Sequence, residues 1–482
     1  MTRPTPPSAY PASVVQDAPS PIDDAVWRAL ERAGIPATVD ARQRAEHGRD
    51  WWPLSLSDAR RGVVARWPGV VVSPRSTAEV RETILIASRH GVAVTAQGGR
   101  SGVEGGAVAL TGGIALDLTG LNRVTACDVV SGTVTVEAGV FGPDLERAVN
   151  TKGFTVGHFP QSFELSTVGG WLACRGAGQY SNRYGKIEDL VRSLTVVLAS
   201  GDVVPVGDRG PRHATGPDLV QLFVGSEGTL GVITEVTLVM RPRPEFERRV
   251  ALAFPSFDEG MEACRVILQR DAHPAVLRLY DEIESLRTFE VDACVLTVLD
   301  EGPAPFVDAT IAVVESATAG AQRLDDALVG RWLERRNDVS ALAPLWDAGI
   351  VVDTIEVAGP WSVLTDLRTA VLASLRSLTP TLVASVHQSH AYVDGACLYF
   401  TFAGRPDGDP TSYYRAAWDV ATTTALARGG SLSHHHGVGR NRARFMPDAL
   451  GRSFDVLRAI KGVLDPTNLL NPGVLGLGGE PW

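Results

Sequence analysis

Three adjacent histidines, His434, His435 and His436, stand inside the segment SHHHGVG. Imidazole titrates near neutral pH, so a histidine beside a reacting centre can act as a base or hold an anionic oxygen. Alternate side chains of a strand share a face, so the three rings cannot all point in one direction. A surface histidine run and a metal site are the competing interpretations, and the flanking glycines count against the first.

A second candidate segment is HQSHAYVDGACLYFTF, His387 to Phe402, whose alternation predicts a strand. It carries His390 and Tyr399. A phenol has an ordinary pKa of about 10, and it is a poor base at neutral pH unless a cation or imidazole lies beside it. From the residues alone, a core tyrosine with a satisfied hydroxyl is the favoured interpretation of Tyr399, although the triplet could supply an imidazole.

The segment AQGGRSGVEGG, Ala96 to Gly106, follows a predicted strand and has five glycines between Gly98 and Gly106. Glycine permits positive φ and close backbone approach, so successive N–H groups can converge on an anion such as a dinucleotide pyrophosphate. A plain glycine-rich surface turn is the competing interpretation. The loop contains neither G-x-G-x-x-G nor G-x-x-x-x-G-K-[ST], so it is neither a Rossmann fingerprint nor a Walker loop.

Two further blocks are suited to a planar cofactor. The first, PQSFELSTVGGWLACRGAGQYSNRYGKIEDL, combines hydroxyl groups, a glycine pair and Trp171, and its Ser166 and Thr167 can donate hydrogen bonds. The second, GSEGTLGVIT, is a glycine turn that feeds a β-branched strand. Each block alone is a common pattern, whereas their order and spacing together are distinctive.

The elements that must position these segments alternate between short strands and helices as far as about Pro244. STAEVRETILIASRHG predicts a helix with Ser76 or Thr77 as its N-cap and Gly91 at its end. The later part of the chain predicts a separate sheet covered by helices. The expected organisation is α+β, with a disordered tail over 1–20, a helical segment over 21–65, a cofactor domain over 66–244, a cap over 245–430 and a C-terminal segment over 431–482.

Composition narrows the class of protein. The 482 residues are 44% hydrophobic and 21% charged, which predicts an ordinary globular protein with two or three packed units. A net charge of −10, spread along the chain, argues against nucleic acid and anionic membranes but not against an anionic substrate. No run approaches the roughly 18 apolar residues of a membrane helix, and the N-terminus has no signal-peptide pattern. Five scattered cysteines without CxxC spacing argue against a zinc knuckle or disulfide framework, and favour the cytoplasm: Cys127, Cys174, Cys264, Cys294 and Cys397.

Taken together, GGRSGVEGG, QSFELSTVGGW, GSEGTLGVIT and SHHHGVG resemble the vanillyl-alcohol-oxidase (PCMH-type) flavoproteins, and within them the alkylglycerone-phosphate synthases. The resemblance runs from about Val70 to Leu470. It implies a two-lobed PCMH-type FAD-binding domain, an α/β cap that covers the flavin ring and a C-terminal segment that returns to the FAD domain. Some relatives attach the flavin covalently through a histidine in the glycine loop, and RSGVEGG has none. Non-covalent FAD is therefore expected, in a possible homodimer.

The resemblance also implies the site residues. The family's catalytic tyrosine falls on Tyr399, the triplet belongs to the active site, and His390 is assigned to the substrate. The implied FAD-binding residues are Thr95, Ala96, Gln97, Gly98, Gly99, Arg100, Ser101 and Gly102 in the loop, Gln161, Ser162, Ser166, Thr167, Gly170, Cys174, Arg175, Gly176 and Ala177 in the second block, and Glu227, Gly228, Thr229, Leu230, Gly231, Val232 and Ile233 in the third.

Two departures from the family pattern bear on the substrate. The synthases have a substrate-binding arginine where this chain has Leu342, and leucine cannot pair with phosphate. Arg335 and Arg336 lie nearby, but a solvated helix face is their favoured interpretation. Related 2-hydroxy-acid dehydrogenases bind a metal through a GHxGDGNxH strand, and Tyr399 replaces its second histidine here. No metal is therefore expected, although a site formed by His390 and the triplet stays open.

The expected activity is FAD-dependent oxidation of a small hydroxylated substrate, an alcohol or a hydroxy acid, by hydride transfer to the flavin. The alternative is an alkylglycerone-phosphate synthase, which exchanges an acyl chain for a fatty alcohol through a flavin adduct without net redox. A flavoprotein scaffold without turnover is the third hypothesis.

Overall fold

A four-stranded sheet forms the first lobe of the computed structural model, which describes Tyr10, Val14 and residues 18–207, 210–338 and 343–479. The helix Thr77–His90 crosses between two parallel strands of this sheet. Ser76 caps its first turn by accepting from the Glu79 N–H, and Gly91 ends it at φ 63°, as the sequence predicts. In spatial order the strands are Ala37–Thr38, Val70–Val72, Ile114–Asp117 and Val94–Gln97.

The second lobe is a five-stranded antiparallel sheet. Its central strand, Val232–Val239, is buried at its start and then alternates buried and half-buried residues, as a strand with one face on a core does. A short ribbon of Phe154–Thr155 and Arg241–Pro242 lies beside the sheet. The strands in spatial order are Val124–Asp128, Thr133–Glu137, Val232–Val239, Val191–Val197 and Val203–Gly207.

A seven-stranded antiparallel sheet forms the cap. The hairpin of its two longest neighbouring strands places His387 opposite Tyr399. The register of the next strand places Glu356 on the other side of Tyr399. In spatial order the strands are Gln322–Arg323, Phe246–Phe254, Cys294–Gly302, Val276–Tyr280, Thr381–Ala391, Gly395–Gly404 and Val351–Pro360.

Helices cover these sheets, and none in the described part of the chain has the length and apolar run needed to cross a membrane. The α-helices are Asp24–Arg32, Ala41–Glu46, Pro53–Arg60, Thr77–His90, Gly142–Asn150, Val168–Ala173, Ser181–Tyr184, Ile187–Leu190, Leu219–Phe223, Phe257–Gln269, Glu282–Phe289, Ala304–Ala317, Ala327–Arg335, Ala343–Asp347, Trp361–Ser377, Pro410–Ala427, Met446–Leu450 and Arg452–Leu464. The 3₁₀ turns are Leu118–Gly120, Ala443–Phe445 and Val474–Gly476.

After the helix Pro410–Ala427 the chain leaves the cap and returns to the first lobe. There the Val94 N–H donates to the Leu469 carbonyl and the Asn471 N–H donates to the Val94 carbonyl, both at 2.8 Å. The segment that carries the histidine triplet therefore runs between the cap and the two lobes. This is the α+β architecture that the resemblance implies, with a two-lobed domain, a cap and a returning C-terminal segment.

Two sequence-based expectations concern residues that the structure does not describe. Leu342 lies outside the described residues. The expected disordered tail over 1–20 also lies mostly outside them, although Tyr10 and Val14 are described and are buried against Ala45 and Ala59.

Candidate active site

The glycine loop packs directly against the second predicted cofactor block. A Cβ atom added to Gly98 would lie 2.2 Å from the Thr167 Oγ1, and one added to Gly99 would lie 1.8 Å from the Leu165 carbonyl oxygen. Both positions therefore accept only glycine. Beyond them the chain turns at Arg100, which has a φ of 53°.

In the second block the two predicted hydroxyl groups organise the local fold. The Thr167 Oγ1 caps the helix Val168–Ala173 by accepting from the Gly170 N–H at 3.3 Å. The Ser166 hydroxyl donates to the Ser162 carbonyl at 2.9 Å and accepts from the Trp171 indole at 2.6 Å. The block is thus built as a tight turn whose backbone lies against the loop.

Glu227 ties the third block to the C-terminal segment. This residue has a φ of 48°, and its carboxylate accepts from the N–H groups of Val438 and Gly439 at 2.6 and 2.8 Å. The Asn471 amide donates to the carbonyls of Gly106 and Glu227, at 3.0 and 2.7 Å. The loop, the third block and the C-terminal segment therefore meet at one place.

Not every predicted cofactor residue presents its side chain there. Leu230, Val232 and Ile233 are buried in the apolar cores, so only their backbone groups can face a cofactor. Arg175 is partly exposed and points to Gln221 and to Glu188, whose carboxylate lies 3.5 Å from its Nε.

The remaining groups fit a dinucleotide. The Nη1 of Arg100 and the Oε1 of Gln97 are buried and have no hydrogen-bond partner among the described residues. An unpartnered guanidinium nitrogen beside a glycine loop suits a pyrophosphate. The three blocks and these polar atoms are therefore the residues that would hold FAD.

The predicted pair of Tyr399 and the triplet is brought together. The Tyr399 Oη lies 2.5 Å from the His435 Nε2 and 3.3 Å from the His436 Nε2. On its other side the Tyr399 ring stacks on His387, with centroids 4.8 Å apart and planes 13° apart. The phenol is thus held in place by the cap strand and presented to two imidazoles.

His434 turns in the opposite direction. Its Nδ1 lies 2.8 Å from the His435 Nδ1, and its Nε2 lies 3.1 Å from the Tyr392 Oη. The predicted substrate residue His390 is nearly fully buried and stacks on His434, with centroids 5.1 Å apart. The Ser181 Oγ lies 2.8 Å from the His390 Nδ1 and 3.3 Å from the Tyr392 Oη.

One buried carboxylate holds the backbone of the triplet. Glu356 accepts from the N–H groups of His434, His435 and His436, at 2.5, 3.4 and 3.0 Å, and from the Ser433 hydroxyl at 2.7 Å. Burial alone would raise the pKa of Glu356, but Arg442 and the neighbouring imidazoles and hydroxyl lower it to about 2. The carboxylate is therefore ionised at neutral pH and fixes the direction of the triplet.

Arg442 connects this carboxylate to the glycine loop. Its Nη1 lies 3.2 Å from the Glu356 Oε1, and its Nη2 lies 3.0 Å from the Glu104 Oε1. All three side chains are at most 3% exposed. The buried triad thus joins the cap, the C-terminal segment and the cofactor loop.

Burial sets the protonation of the site. It lowers the pKa of His434 to about 3 and that of His436 to about 4, and it lowers the pKa of His435 well below its ordinary value. It also raises the pKa of Tyr399 well above its ordinary value. The sequence left a cation or an imidazole as the group that would activate the phenol. At neutral pH the structure supplies the imidazole, and a neutral phenol meets neutral imidazoles.

Arg278 places a positive charge beside His387, the residue on which the Tyr399 ring stacks. Its Nη2 lies 3.1 Å from the His387 Nε2, and its guanidinium lies over the Trp332 ring at 5.4 Å. Across the described residues, no carboxylate lies within ion-pair distance of Arg278. The Nδ1 of His387 instead meets the Glu284 carboxylate at 3.0 Å. The Arg278 Nε also donates to the Tyr280 Oη at 3.1 Å, so its charge is held by hydrogen bonds and aromatic rings.

The ring nitrogens of His390, His434 and His435 lie within 4.8 Å of one another, a spacing that a metal ion can use. Each ring also has a hydrogen-bond partner outside this group, namely Ser181, Tyr392 and Tyr399 respectively. We therefore describe these rings as hydrogen-bonded groups and assign none of them as a metal ligand.

Sequence reasoning missed Glu356, Arg442, Glu104 and Arg278. The strand VVDTIEVAGP did carry a signal, because an acidic residue inside an apolar strand needs a buried partner. The sequence-based prediction also missed Asp50, which is fully buried beside Gly102 and whose pKa is raised to about 7 by burial.

Comparison with known proteins places this geometry in a class. The FAD binding domain family model matches residues 68–207, and the FAD linked oxidase C-terminal domain model matches residues 243–475. Among solved structures, an alkyldihydroxyacetonephosphate synthase superposes with a TM-score of 0.80 at 26% identity, covering 95% of this chain and 88% of its own. A p-cresol methylhydroxylase with substrate bound superposes with a TM-score of 0.75 at 16% identity, covering 95% of this chain and 99% of its own, which shows the shared fold. The fold and the site thus define an FAD-dependent enzyme.

Sequence relatives give the family. The alkyldihydroxyacetonephosphate synthase of Caenorhabditis elegans is 31% identical over 95% of this chain and 84% of its own length. A glycolate oxidase subunit of Bacillus subtilis is 28% identical over 84% of this chain and 88% of its own. The chain belongs to the FAD-linked oxidase family of vanillyl-alcohol-oxidase (PCMH-type) flavoproteins.

Proposed function

We propose that the protein oxidises a small hydroxylated substrate, an alcohol or a hydroxy acid, with FAD as the hydride acceptor. The observation that carries the proposal is the 2.5 Å contact between the Tyr399 Oη and the His435 Nε2. A phenol and an imidazole in direct contact form an acceptor for the hydroxyl proton that alcohol oxidation releases.

When bound, FAD supplies the acceptor for the hydride that leaves the substrate carbon. The residues of the chain then have to remove the hydroxyl proton. The Tyr399 Oη takes this proton while its own proton moves to the His435 Nε2, so a buried phenolate never forms. The neutral state of both groups before reaction suits this exchange.

Arg278 favours a hydroxy acid over a neutral alcohol. A guanidinium without an ion-pair partner among the described residues, and separated from Tyr399 by the His387 ring, is suited to a substrate carboxylate. The glycolate oxidase subunit among the relatives is named for a hydroxy acid. A substrate carboxylate bound to Arg278 would orient the substrate hydroxyl toward Tyr399.

Anaerobic mixing of the FAD-loaded protein with candidate alcohols and hydroxy acids tests the proposal. A hydroxylated substrate is expected to bleach the visible absorbance of the flavin, with a carbonyl product equimolar to the reduced cofactor. Bleaching by none of these compounds would rule the proposed oxidation out.

The second candidate function is that of the relatives named alkyldihydroxyacetonephosphate synthase. The identity of 31% and the TM-score of 0.80 to proteins of that name favour it. This function would exchange the acyl chain of an acyl-dihydroxyacetone phosphate for a fatty alcohol, giving an ether and a released fatty acid without net reduction of the flavin. Two results together would select this function instead. Ether product would form under anaerobic conditions, and no hydroxy acid would reduce the flavin.

A further inference from the structure

A stretch of the chain that precedes the matched FAD binding domain lies against the cofactor loop. The Trp51 N–H donates to the Gly102 carbonyl at 2.9 Å. The ring of Trp52 packs on the far end of the loop, where it lies 3.1 Å from the position of a Cβ atom added to Gly105. Residues 49–52 therefore form one side of the loop that would hold the pyrophosphate of FAD.

Asp50 is buried inside this contact and has no exposed surface. Its Oδ1 accepts from the Trp52 N–H at 3.0 Å. Its Oδ2 lies 3.8 Å from the position of a Cβ atom added to Gly102 and has no hydrogen-bond partner among the described residues. An ionised carboxylate in a buried place needs partners for its oxygens, because loss of water disfavours the charge. A negative charge on Asp50 is therefore poorly stabilised.

Two arginines beside Asp50 also have unpartnered donors. The Nε of Arg49 and the Nη1 of Arg100 are buried and lack a hydrogen-bond partner within the described part of the chain. Such donors beside a glycine loop suit the phosphates of FAD. Coulombic attraction links both arginines to Asp50, whereas Glu227 in the third cofactor block repels it. The titratable and charged groups that face Asp50 or its two arginines are Tyr10, Glu46, Arg49, Arg100, Asp117 and Glu227.

The charge of FAD would act on Asp50 in one direction. Each phosphate brings a negative charge to the loop, and a nearby like charge favours the neutral form of a carboxyl group. Arg49 and Arg100 would at the same time pair with the phosphates, which weakens their attraction for a charge on Asp50. Both effects favour a proton on Asp50, and salt screens buried charges much less than exposed ones.

We propose that Asp50 is a residue of the FAD site and that it takes up a proton when FAD binds. The new O–H bond forms at the Oδ2, the oxygen without a partner, and the proton comes from the solvent. Nothing is oxidised or reduced in this step. The inference concerns the loading of the cofactor, so it does not depend on which substrate the enzyme oxidises.

The proposal fixes the direction of a pH dependence. Burial raises the pKa of Asp50 to about 7 before the charges of the cofactor are counted, and bound FAD would raise this pKa further. Below about pH 7 Asp50 already carries its proton, so pH has little effect on FAD binding through this residue. Above about pH 7 the proton has to be taken up for FAD to bind, so the affinity for FAD falls as the pH rises.

Asp50→Asn tests the proposal, because the amide has the shape of the neutral carboxyl group and does not ionise. Titration of the apoprotein with FAD, followed by flavin fluorescence, gives the Kd at about pH 6 and about pH 8.5. We expect wild-type binding to be about 10-fold or more weaker at the higher pH. Asp50→Asn should match the wild type at the lower pH and bind about 10-fold or more tightly than the wild type at the higher pH.

Asp24→Asn is the matched control, because the side chain of Asp24 is 86% exposed, and it should follow the wild type at both pH values. Any contribution of Glu227, whose pKa burial also raises to about 7, is common to the wild type and to Asp50→Asn. A role for Asp50 as an ionised acceptor for a hydroxyl group of FAD predicts weaker binding by Asp50→Asn at both pH values. That result, or equal pH dependence in Asp50→Asn and the wild type, overturns the proposal.

A second measurement does not depend on the folding of a variant. Calorimetric titration of the wild-type apoprotein with FAD at about pH 8, in buffers of different ionisation enthalpy, counts the protons taken up on binding. We expect an uptake of about one proton, which Asp50→Asn should lack. No net uptake by the wild type overturns the proposal. Neither measurement includes a hydroxylated substrate, so bleaching of the flavin decides the proposed function separately.

Discussion

At the scale of single residues, the burial of Tyr399 bears directly on the mechanism that we propose. A phenolate in this place would be a buried anion, and burial raises the pKa of Tyr399 accordingly. The neighbouring imidazoles are neutral for the same reason. The proposed concerted exchange of protons between neutral partners would avoid both costs.

Tyr399→Phe tests this role. The ring stack on His387 is retained, so FAD content and thermal stability should match the wild type. Because one positioned acid–base group contributes about 10²–10⁴-fold to rate, kcat should fall by at least about 10²-fold. Anaerobic stopped-flow reduction of the flavin measures it. A kcat within twofold of the wild type would contradict the assignment.

Arg278→Gln tests the preference for an anionic substrate. Losing a charge-assisted hydrogen bond worth about 1.5–3 kcal/mol should raise the KM for a hydroxy acid by about 10–100-fold. The KM for a neutral alcohol should stay the same. Arg248→Gln, at an exposed arginine of the same sheet, is the control. Equal effects on acid and alcohol would show that Arg278 supports packing instead.

The sequence revealed the triplet and Tyr399 but not the ionic partners that fix them. Histidine runs and glycine blocks are local patterns, whereas Arg442 is 86 positions from Glu356 and 338 positions from Glu104. Only the fold brings such residues together, and a lone glutamate or arginine in a sequence has the appearance of a surface charge.

At the scale of elements, the triplet segment depends on the strand Val351–Pro360. Side chains alternate along that strand, and its register directs Glu356 to the triplet. The loop of three histidines has no regular secondary structure, so the carboxylate supplies the backbone partners that a helix or sheet would otherwise provide.

Glu356→Gln tests this dependence. The amide keeps the shape of the side chain but leaves Arg442 with Glu104 as its remaining ion-pair partner. Breaking a buried ion pair typically costs about 3–5 kcal/mol, so urea unfolding should show a loss of that order together with a lower kcat. Glu315→Gln, at an exposed glutamate, is the control and should change neither quantity. An unchanged unfolding free energy in Glu356→Gln would refute the anchoring role.

The triplet also predicts a pH dependence of stability. The pKa of His436 is lowered by burial to about 4, from an ordinary value near 6.5. Between these values the unfolded chain binds a proton that the folded chain does not, so this residue's contribution to stability is lost as pH falls through the window. His436→Gln should therefore reduce the slope of unfolding free energy against pH, between about pH 4 and 6.5, by up to about 1.4 kcal/mol per pH unit. Identical slopes in the variant and the wild type would exclude a neutral, buried His436.

Some elements follow directly from local sequence. The helix Thr77–His90 begins and ends where its capping serine and left-handed glycine place it. The spatial order of the cap strands does not follow, because the edge strand Val351–Pro360 pairs with Gly395–Gly404 across a long helix. Strand order is set by long-range packing, which no local pattern records.

At the scale of the whole molecule, the cofactor blocks are the feature that the sequence indicates most completely. Close backbone packing requires glycine at particular positions, and such glycines can be recognised in the sequence. Gly98 and Gly99, for example, have no room for any side chain. The division into segments at 20, 65, 244 and 430 stays a prediction. The cofactor loop and the active site are joined through Glu104, Arg442 and Glu356, so loading of FAD and order at the triplet should depend on each other.

Non-covalent attachment of FAD is the last prediction. The glycine loop has no histidine, and Cys174 is a partly buried thiol whose pKa is raised by desolvation to about 12, so it is a poor nucleophile for attachment. Acid precipitation should therefore leave all of the flavin in the supernatant, as measured by its absorbance.

Adding FAD to the apoprotein at about 100 times its Kd should stabilise the fold by about 2.7 kcal/mol. Because the buried triad links the loop to the triplet, Glu104→Gln should weaken this gain and lower kcat together. Flavin that precipitates with the chain would contradict non-covalent attachment. A Glu104→Gln variant with wild-type FAD affinity and rate would show that the cofactor loop and the active site are not coupled.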